Sequence, residues 1–413
     1  MNHHSYLASK RHLVRILVGP ALAVGLSFVA ACGSSSGGGG GTALSHGSGG
    51  MGGMNMGSGG YSAGGSGASH AGASNAGGRN AVAPVLLRLK EIDLVSDRRG
   101  AAYQDPNLIN SWGLAINPAA QNGPIFWVAD NGTGVATLYD ANGKPQPLIV
   151  TVPPAPGQQG PSAPTGQVFN DDPASFMGDK FIFASEDGVI SGWQAGTTAI
   201  VRSDQSQSKA IYKGIAIIHS NPDGGGTAML VATNFHAGAV DVFDANYNRM
   251  AIPNAFVDPQ MPKGFAPFNV AWLNGKVYVS YAKQDDKQED DVAGPGNGRV
   301  DVFEPDGTFV KTVISGGALN SPWGMAVASS PQLGIALLVG NFGDGRIHAY
   351  DVQTGALIVT MADAFGKPLK IDGLWALEFG PKTDAADLSQ TLYFTAGPDD
   401  EKHGLFGRLE LAP

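Results

Sequence analysis

Two stretches decide how this chain is read: WVADNGTGVATLYD (residues 127–140) and LVGNFGDGRIHAYD (residues 338–351). Alone, the second invites a phosphate- or metal-binding loop, with closely spaced glycines, Asn341, Asp344 and His348. Set against the first at an offset of 211 residues, it reads differently. Trp112-Gly113-Leu114-Ala115 then falls on Trp323-Gly324-Met325-Ala326. Without a gap, Val128, Gly132, Gly134, Tyr139 and Asp140 meet Val339, Gly343, Gly345, Tyr350 and Asp351. The stretch is thus one copy of a repeat: the end of a strand, a glycine turn and the next strand. His348 is expected to be an ordinary strand residue.

Further copies end at Asp244 (VATNFHAGAVDVFD) and Glu304 (GRVDVFE), and weaker ones run over residues 181–193 and 391–410. An offset of 211 spans four units of ~53 residues, close to the length of a four-stranded propeller blade. Each unit opens on an apolar strand (WGLAI, TGQVF, KGIAI, FNVAW, WGMAV, LWALEF). A second strand follows (IFWVAD, KFIFAS, MLVATN, KVYVSY, ALLVGN, TLYFTA), then a turn and a third strand ending in aromatic-acid. A more polar fourth strand completes the unit. Val, Ile, Tyr, Phe and Thr dominate these runs, with turn residues between them. The sixth unit stops after its third strand, and residues 86–97 (LLRLKEIDLVSD) are expected to return from the start of the domain and close the ring. The predicted fold is all-β, a six-bladed β-propeller over residues 85–413. Seven blades, one of them degenerate, is the alternative.

The start of the chain reads as export machinery. Lys10, Arg11 and Arg15 precede an apolar run too short to span a membrane. It ends in Val29-Ala30-Ala31-Cys32, which resembles a lipoprotein lipobox. Residues 1–31 are therefore expected to be a signal peptide, with Cys32, the single cysteine of the chain, as the lipidated residue. Residues 32–84, rich in Gly and Ser, are expected to be a flexible tether. Loss of the signal would leave 23 basic against 35 acidic residues, a formal charge of −12. An acidic domain without a basic cluster argues against nucleic acid as a partner.

The motifs DPNLINSWGLA, APFNV, SPWGMA, IDGLWALEFG and LYFTAGPDDEKHGLFG, with the two opening stretches, resemble a family of secreted bacterial β-propeller proteins of unknown function. More distantly the blades are similar to NHL-type and gluconolactonase-like six-bladed propellers. The first resemblance implies the fold and export, and the second implies a group that includes both binding modules and metal-dependent lactonases.

In a propeller, the loops entering the first strand and the turns after the second open on one face, where ligands bind. That face is expected to gather Asp130, Asn131, Glu186, Asp187, Asn234, His236, Asn269, Asn341, Asp344 and His403, with Asn110, Asp372 and Glu401. Asp, Asn and Gly are also what β-turns require, so each has a purely structural reading. The recurrence of a carboxylate or amide at the end of the second strand in Asp130, Glu186, Asn234 and Asn341 suits a hard cation such as Ca²⁺. A lactonase-type hydrolase would use such an ion to polarise an ester carbonyl. Convergence of the Glu186, Asn234 and Asn341 oxygens on one point would favour that enzyme; separate turns would favour a binding scaffold. Trp112, Trp323 and Trp375, at the openings of first strands, are expected to pack between blades. DDKQEDD (residues 285–291) reads as a solvated charge run.

The tether holds Met51, Met54 and Met56, with His46 and His70 near. Thioethers at this spacing fit copper, since soft ligands select Cu(I), although a low-complexity segment also drifts in composition. The leading expectation is an outer-membrane lipoprotein whose propeller binds a small molecule or an envelope protein. The hydrolase and copper binding through the tether are the alternatives.

Overall fold

The computed structural model describes residues 87–121, 123–330, 332–381 and 391–412. The signal, Cys32 and the Met-rich tract with His46 lie outside the described residues. The described chain forms six sheets, the six expected blades, antiparallel except where residues 103–104 and 362–363 pair in parallel with the strand that closes blade 6. Blades 1 to 5 begin with first strands Ser111–Asn117, Pro164–Phe169, Tyr212–His219, Phe265–Leu273 and Pro322–Ser330. Each continues strand by strand to a fourth strand at its outer edge. Blade 6 consists of Leu374–Phe379, Leu392–Ala396 and Leu405–Leu411. Its outer strand is Arg88–Ser96, paired antiparallel from Leu89 opposite Leu411 to Ser96 opposite Leu405. The two ends of the described chain thus complete one sheet, as the sequence predicts.

The first strands pack against one another in order, and that of blade 6 returns to that of blade 1, closing the ring. Little space separates them. A Cβ on Gly113 would lie 2.3 Å from the Thr165 carbonyl oxygen, and one on Gly324 would lie 2.6 Å from that of Trp375. The glycine turns have a second cause. Gly134 and Gly345 adopt φ of 73° and 71°, the left-handed region that other residues avoid.

All six first strands carry an irregularity near their start, at the second or third residue in five blades and at the fourth in blade 4. In each blade one extra residue is accommodated opposite the second strand, between Ser111 and Leu114, Pro164 and Gln167, Tyr212 and Gly214, Pro267 and Asn269, Pro322 and Gly324, and Leu374 and Leu377. A β-bulge of this kind re-aims a side chain and leaves backbone groups without ladder partners. The re-aimed residues are Trp112, Thr165, Lys213, Phe268, Trp323 and Trp375. The freed carbonyls are taken up by side chains. Thr395 donates to Trp112 O, Thr233 to Phe268 O (3.3 Å), Asn269 Nδ2 to Trp323 O (2.8 Å), and Trp323 Nε1 to Lys213 O (3.0 Å). These bonds cross between blades and stitch the ring at its centre.

Two outcomes follow. Gly113→Val should destabilise the propeller by about 1–3 kcal/mol, since the added atoms must displace a strand backbone, measured by denaturant unfolding. The second concerns pH. Burial, with Asp93 beside it, pushes the Glu91 carboxyl on the closing strand up to about 7 from 4.5. The folded state prefers the protonated acid, so this stabilising contribution is present below about pH 4.5 and is lost as pH rises through about 7. In Glu91→Gln, the decline in denaturation midpoint across that interval should be shallower than in the parent.

Candidate functional site

At the axis the bulged residues meet. Trp112 stacks on Trp375 at 3.6 Å and 14°, and Trp323 stands edge-on to both at 6.3 and 6.0 Å. Phe268 lies 5.9 Å from Trp375. Phe342, partly exposed, stacks on the other side of Trp375 at 3.9 Å. The three tryptophans are buried and pack between blades, as expected, forming an aromatic plug. Blade 3 places Lys213 where blades 1, 4, 5 and 6 place an aromatic residue.

Lys213 is 2 % exposed, with its ammonium 5.4 Å from the Trp112 ring centre and 5.8 Å from that of Phe235. Nζ donates to Glu186 Oε1 at 2.5 Å and to Asp290 Oδ1 at 3.2 Å. Burial alone would lower the lysine pKa. The charges of Glu186 and Asp290, with Glu401 further off, outweigh it and hold the group above its ordinary range. Lys213 is therefore an ammonium at physiological pH.

A chain of hydrogen bonds runs from this ion pair round the mouth of the ring. Trp375 Nε1 donates to Asn110 Oδ1 (2.9 Å), Asn110 Nδ2 to Asn131 Oδ1 (3.2 Å), and Asn131 Nδ2 to Glu186 Oε2 (3.1 Å). With Lys213 and Asp290 it joins residues of blades 6, 1, 2, 3 and 4. Because the ammonium only donates and the indole only donates, the orientation of both amides is fixed.

The expected mouth residues divide into two sets. Asn110, Asn131 and Glu186 come together in this chain. Asp130, Asn234 and Asn341 do not join them. Buried Asp130 accepts from Thr137 Oγ1 at 2.7 Å, and burial pushes its carboxyl well above the usual range. Asn234 bonds Asp241 and the amide of Ala237, and Asn341 bonds Ala318 O and Asp344, each within its own blade. Strand register gives the reason. Asp130, Ser185, Asn234 and Asn341 pair with Ser111, Pro164, Tyr212 and Pro322, so they are one repeat position. Glu186 lies one residue later and matches Asn131, Phe235 and Phe342. In a strand, neighbours point to opposite faces, so the four-oxygen ring drawn from the sequence mixes two faces. The Glu186, Asn234 and Asn341 oxygens sit in separate environments. Among the described residues, no group of three or more His, Cys, Asp or Glu is placed to hold a metal ion.

The other expected residues hold loops and blades. Asp187 accepts from Ser162 Oγ (2.6 Å) and the Ala163 amide (2.9 Å) at the entry to blade 2. Asn269 ties blade 4 to blade 5 through Trp323 O. Asp344 accepts from the Arg346 amide (3.2 Å). His403 Nδ1 meets Asp97 Oδ2 at 2.6 Å, linking the last turn to the closing strand. His236 is half-buried, its Nδ1 without a partner among the described residues. His348 is the buried strand residue anticipated, bonded to Thr360 Oγ1, with burial lowering its pKa.

Sequence reasoning missed Lys213, Phe235 and Asp290. Lys213 was visible as the one basic residue among the first-strand openings. Asp290 stood inside the charge run expected to be solvated; its side chain is 73 % exposed, yet it reaches the buried ammonium.

The fold defines the class: a six-bladed β-propeller. No protein-family model matches the chain. It is 31% identical over 338 residues to "Uncharacterized protein R648" of Acanthamoeba polyphaga mimivirus, covering 76% of this chain and 78% of that protein. It is 32% identical over 337 residues to "Uncharacterized protein L690" of the same virus, covering 76% and 84%. The chain belongs to the family of these proteins. The relatives are viral, where the sequence resemblance pointed to bacterial proteins. Among solved structures, one described as "glucose dehydrogenase" aligns with a TM-score of 0.50 and 14% identity, over 77% of this chain and 98% of that one. This likeness concerns the fold.

Replacing Lys213 by Met would leave Glu186 and Asp290 facing each other without the cation. The Asn131–Glu186 bond should then loosen, seen as faster amide exchange in residues 131–134 and 186–188 with the other blades unchanged.

Proposed function

We propose that this propeller is a binding module that takes a small polar ligand at the mouth above the aromatic plug, with Lys213 and Glu186 as its charged centre. The observation that carries this reading is the substitution of an aromatic axial residue by a buried lysine in one blade. Burying an ammonium costs several kcal/mol before its partners compensate, and a well-packed apolar residue often serves stability as well or better. The repeat itself supplies the apolar solution in four blades. A departure from it at the axis, joined to a hydrogen-bond chain through five blades, fits recognition better than packing. Lys213 and the Asn amides supply donors, Glu186 supplies an acceptor, and Phe342 offers an aromatic face. Separation of Glu186, Asn234 and Asn341 favours the binding reading over the metal-dependent hydrolase.

The test is a thermal-shift panel of sugars, amino acids and small organic acids on the parent and Lys213→Met. At least one compound should stabilise the parent and leave the variant unmoved. Equal shifts in both, or none across the panel, would overturn the proposal.

The basic n-region, apolar run and Ala30-Ala31-Cys32 support export and lipid anchoring of this module. Two or more acyl chains suffice for stable attachment without a transmembrane helix. In a bacterial host, the full chain should incorporate radiolabelled palmitate and fractionate with membranes. Cys32→Ser should lose the label and move to the soluble fraction.

A further inference from the structure

The turn between the second and third strands is short in blades 1, 2, 3 and 5, covering residues 131–134, 186–188, 235–238 and 342–346. In blade 4 it covers residues 284–297. This insertion is a strap across the mouth. At one end Gln284 Nε2 donates to Phe235 O of blade 3 (2.6 Å). At the other the Gly294 amide donates to Asn320 Oδ1 (2.6 Å) and the Gly296 amide to Leu319 O (2.8 Å), at the entrance to blade 5. Between these anchors the tip closes on itself. Asp285 Oδ1 accepts from the amides of Lys287 (3.2 Å) and Glu289 (2.9 Å), and the Asp285 amide donates to Asp290 O (2.8 Å). Residues 286–290 are exposed, and the contact the tip makes with the mouth is Asp290 Oδ1 on Lys213 Nζ.

Two departures from the repeat therefore meet in one ion pair: the lysine that replaces an aromatic in blade 3, and the insertion of blade 4. The two carboxylates on Lys213 are unlike. Glu186 is close, largely buried and held by Asn131. Asp290 is longer, on a preformed exposed tip, and covers the ammonium from the solvent side. Adding a further anion would be opposed by Glu186, Asp290 and Glu401, whose charges already act on Lys213. Exchanging one carboxylate for another leaves the charge balance as it was.

We propose that Asp290 is an internal stand-in for the carboxylate of a small organic acid, and that ligand and strap tip compete for Lys213. The proposal rests on the reading of the mouth as the binding site and names its ligand class. The partly exposed Phe342 ring at the mouth suits an acid with an apolar body.

Benzoate is the probe, titrated calorimetrically into the parent, Asp290→Ala, Asp290→Asn and the Asp290→Ala/Lys213→Met double variant. Asp290 is exposed, so its variants should fold, checked by thermal unfolding. Benzoate affinity should rise at least tenfold in both single variants and vanish in the double variant. Unchanged or absent binding in Asp290→Ala, or binding that survives loss of Lys213, overturns the stand-in. If a neutral sugar still binds the parent in a Lys213-dependent way, the binding reading survives that failure. Absence of any Lys213-dependent ligand removes both.

Discussion

Around the axis, the first strands of neighbouring blades come so close that a methyl group on Gly113 or Gly324 would enter the backbone of the next blade. Six strands converging this tightly cannot all run as straight ladders, and each relieves the crowding with a bulge at the same place. The bulge turns one side chain toward the axis and releases carbonyls that must find donors. Threonine hydroxyls, the Asn269 amide and the Trp323 indole provide them across blade boundaries. The inter-blade hydrogen bonds and the aromatic plug thus share one origin. The closing strand from the start of the domain completes this arrangement, because an open ring would leave blade 6 without its outer edge and the axial contacts without compression.

On such a scaffold the blades are each other's controls. Trp112, Phe268, Trp323 and Trp375 show what the axial position holds when only packing is at stake. Lys213 shows what it holds when something else is required. The same comparison applies one layer outward, where Phe235 and Phe342 occupy the position that Asn131 and Glu186 fill in blades 1 and 2. The hydrogen-bond chain of the mouth runs over one arc, from Asn110 to Asp290. That asymmetry has no counterpart in the repeat that built the ring.

Much of the fold was legible because its causes are local. A glycine turn, an aromatic-acid strand end and a Trp-Gly opening recur in sequence, and two copies 211 residues apart align without a gap. Blade number and ring closure follow from counting such units. The site was less legible for two physical reasons. Turn length differs between blades, with residues 186–188 in blade 2 against 131–134 in blade 1. Grouped by the end of the second strand, Glu186 reads as the counterpart of Asp130, although register sets it beside Asn131. A slip of one residue exchanges the faces of a strand, so this small error turned two environments into one imagined ring of ligands. The second reason is distance along the chain. Asp290 meets Lys213 across 77 residues, and nothing in DDKQEDD distinguishes the carboxylate that reaches the axis from those that stay in water.

The contrast between the buried ion pairs sharpens this point. Asp179 is held by Arg202 through two bonds and by Tyr247, and Asp241 by Arg249, Tyr212 and Asn234. Each of those carboxylates is enclosed by several donors, the arrangement that a buried charge needs when its work is structural. At Lys213, as at Arg299 between Asp258 and Asp301, one cation lies among carboxylates, but only at Lys213 is one of them carried by an exposed, self-contained tip. A structural pair has no need of a replaceable member. The ion pair at the mouth has one, on the side from which a ligand would arrive.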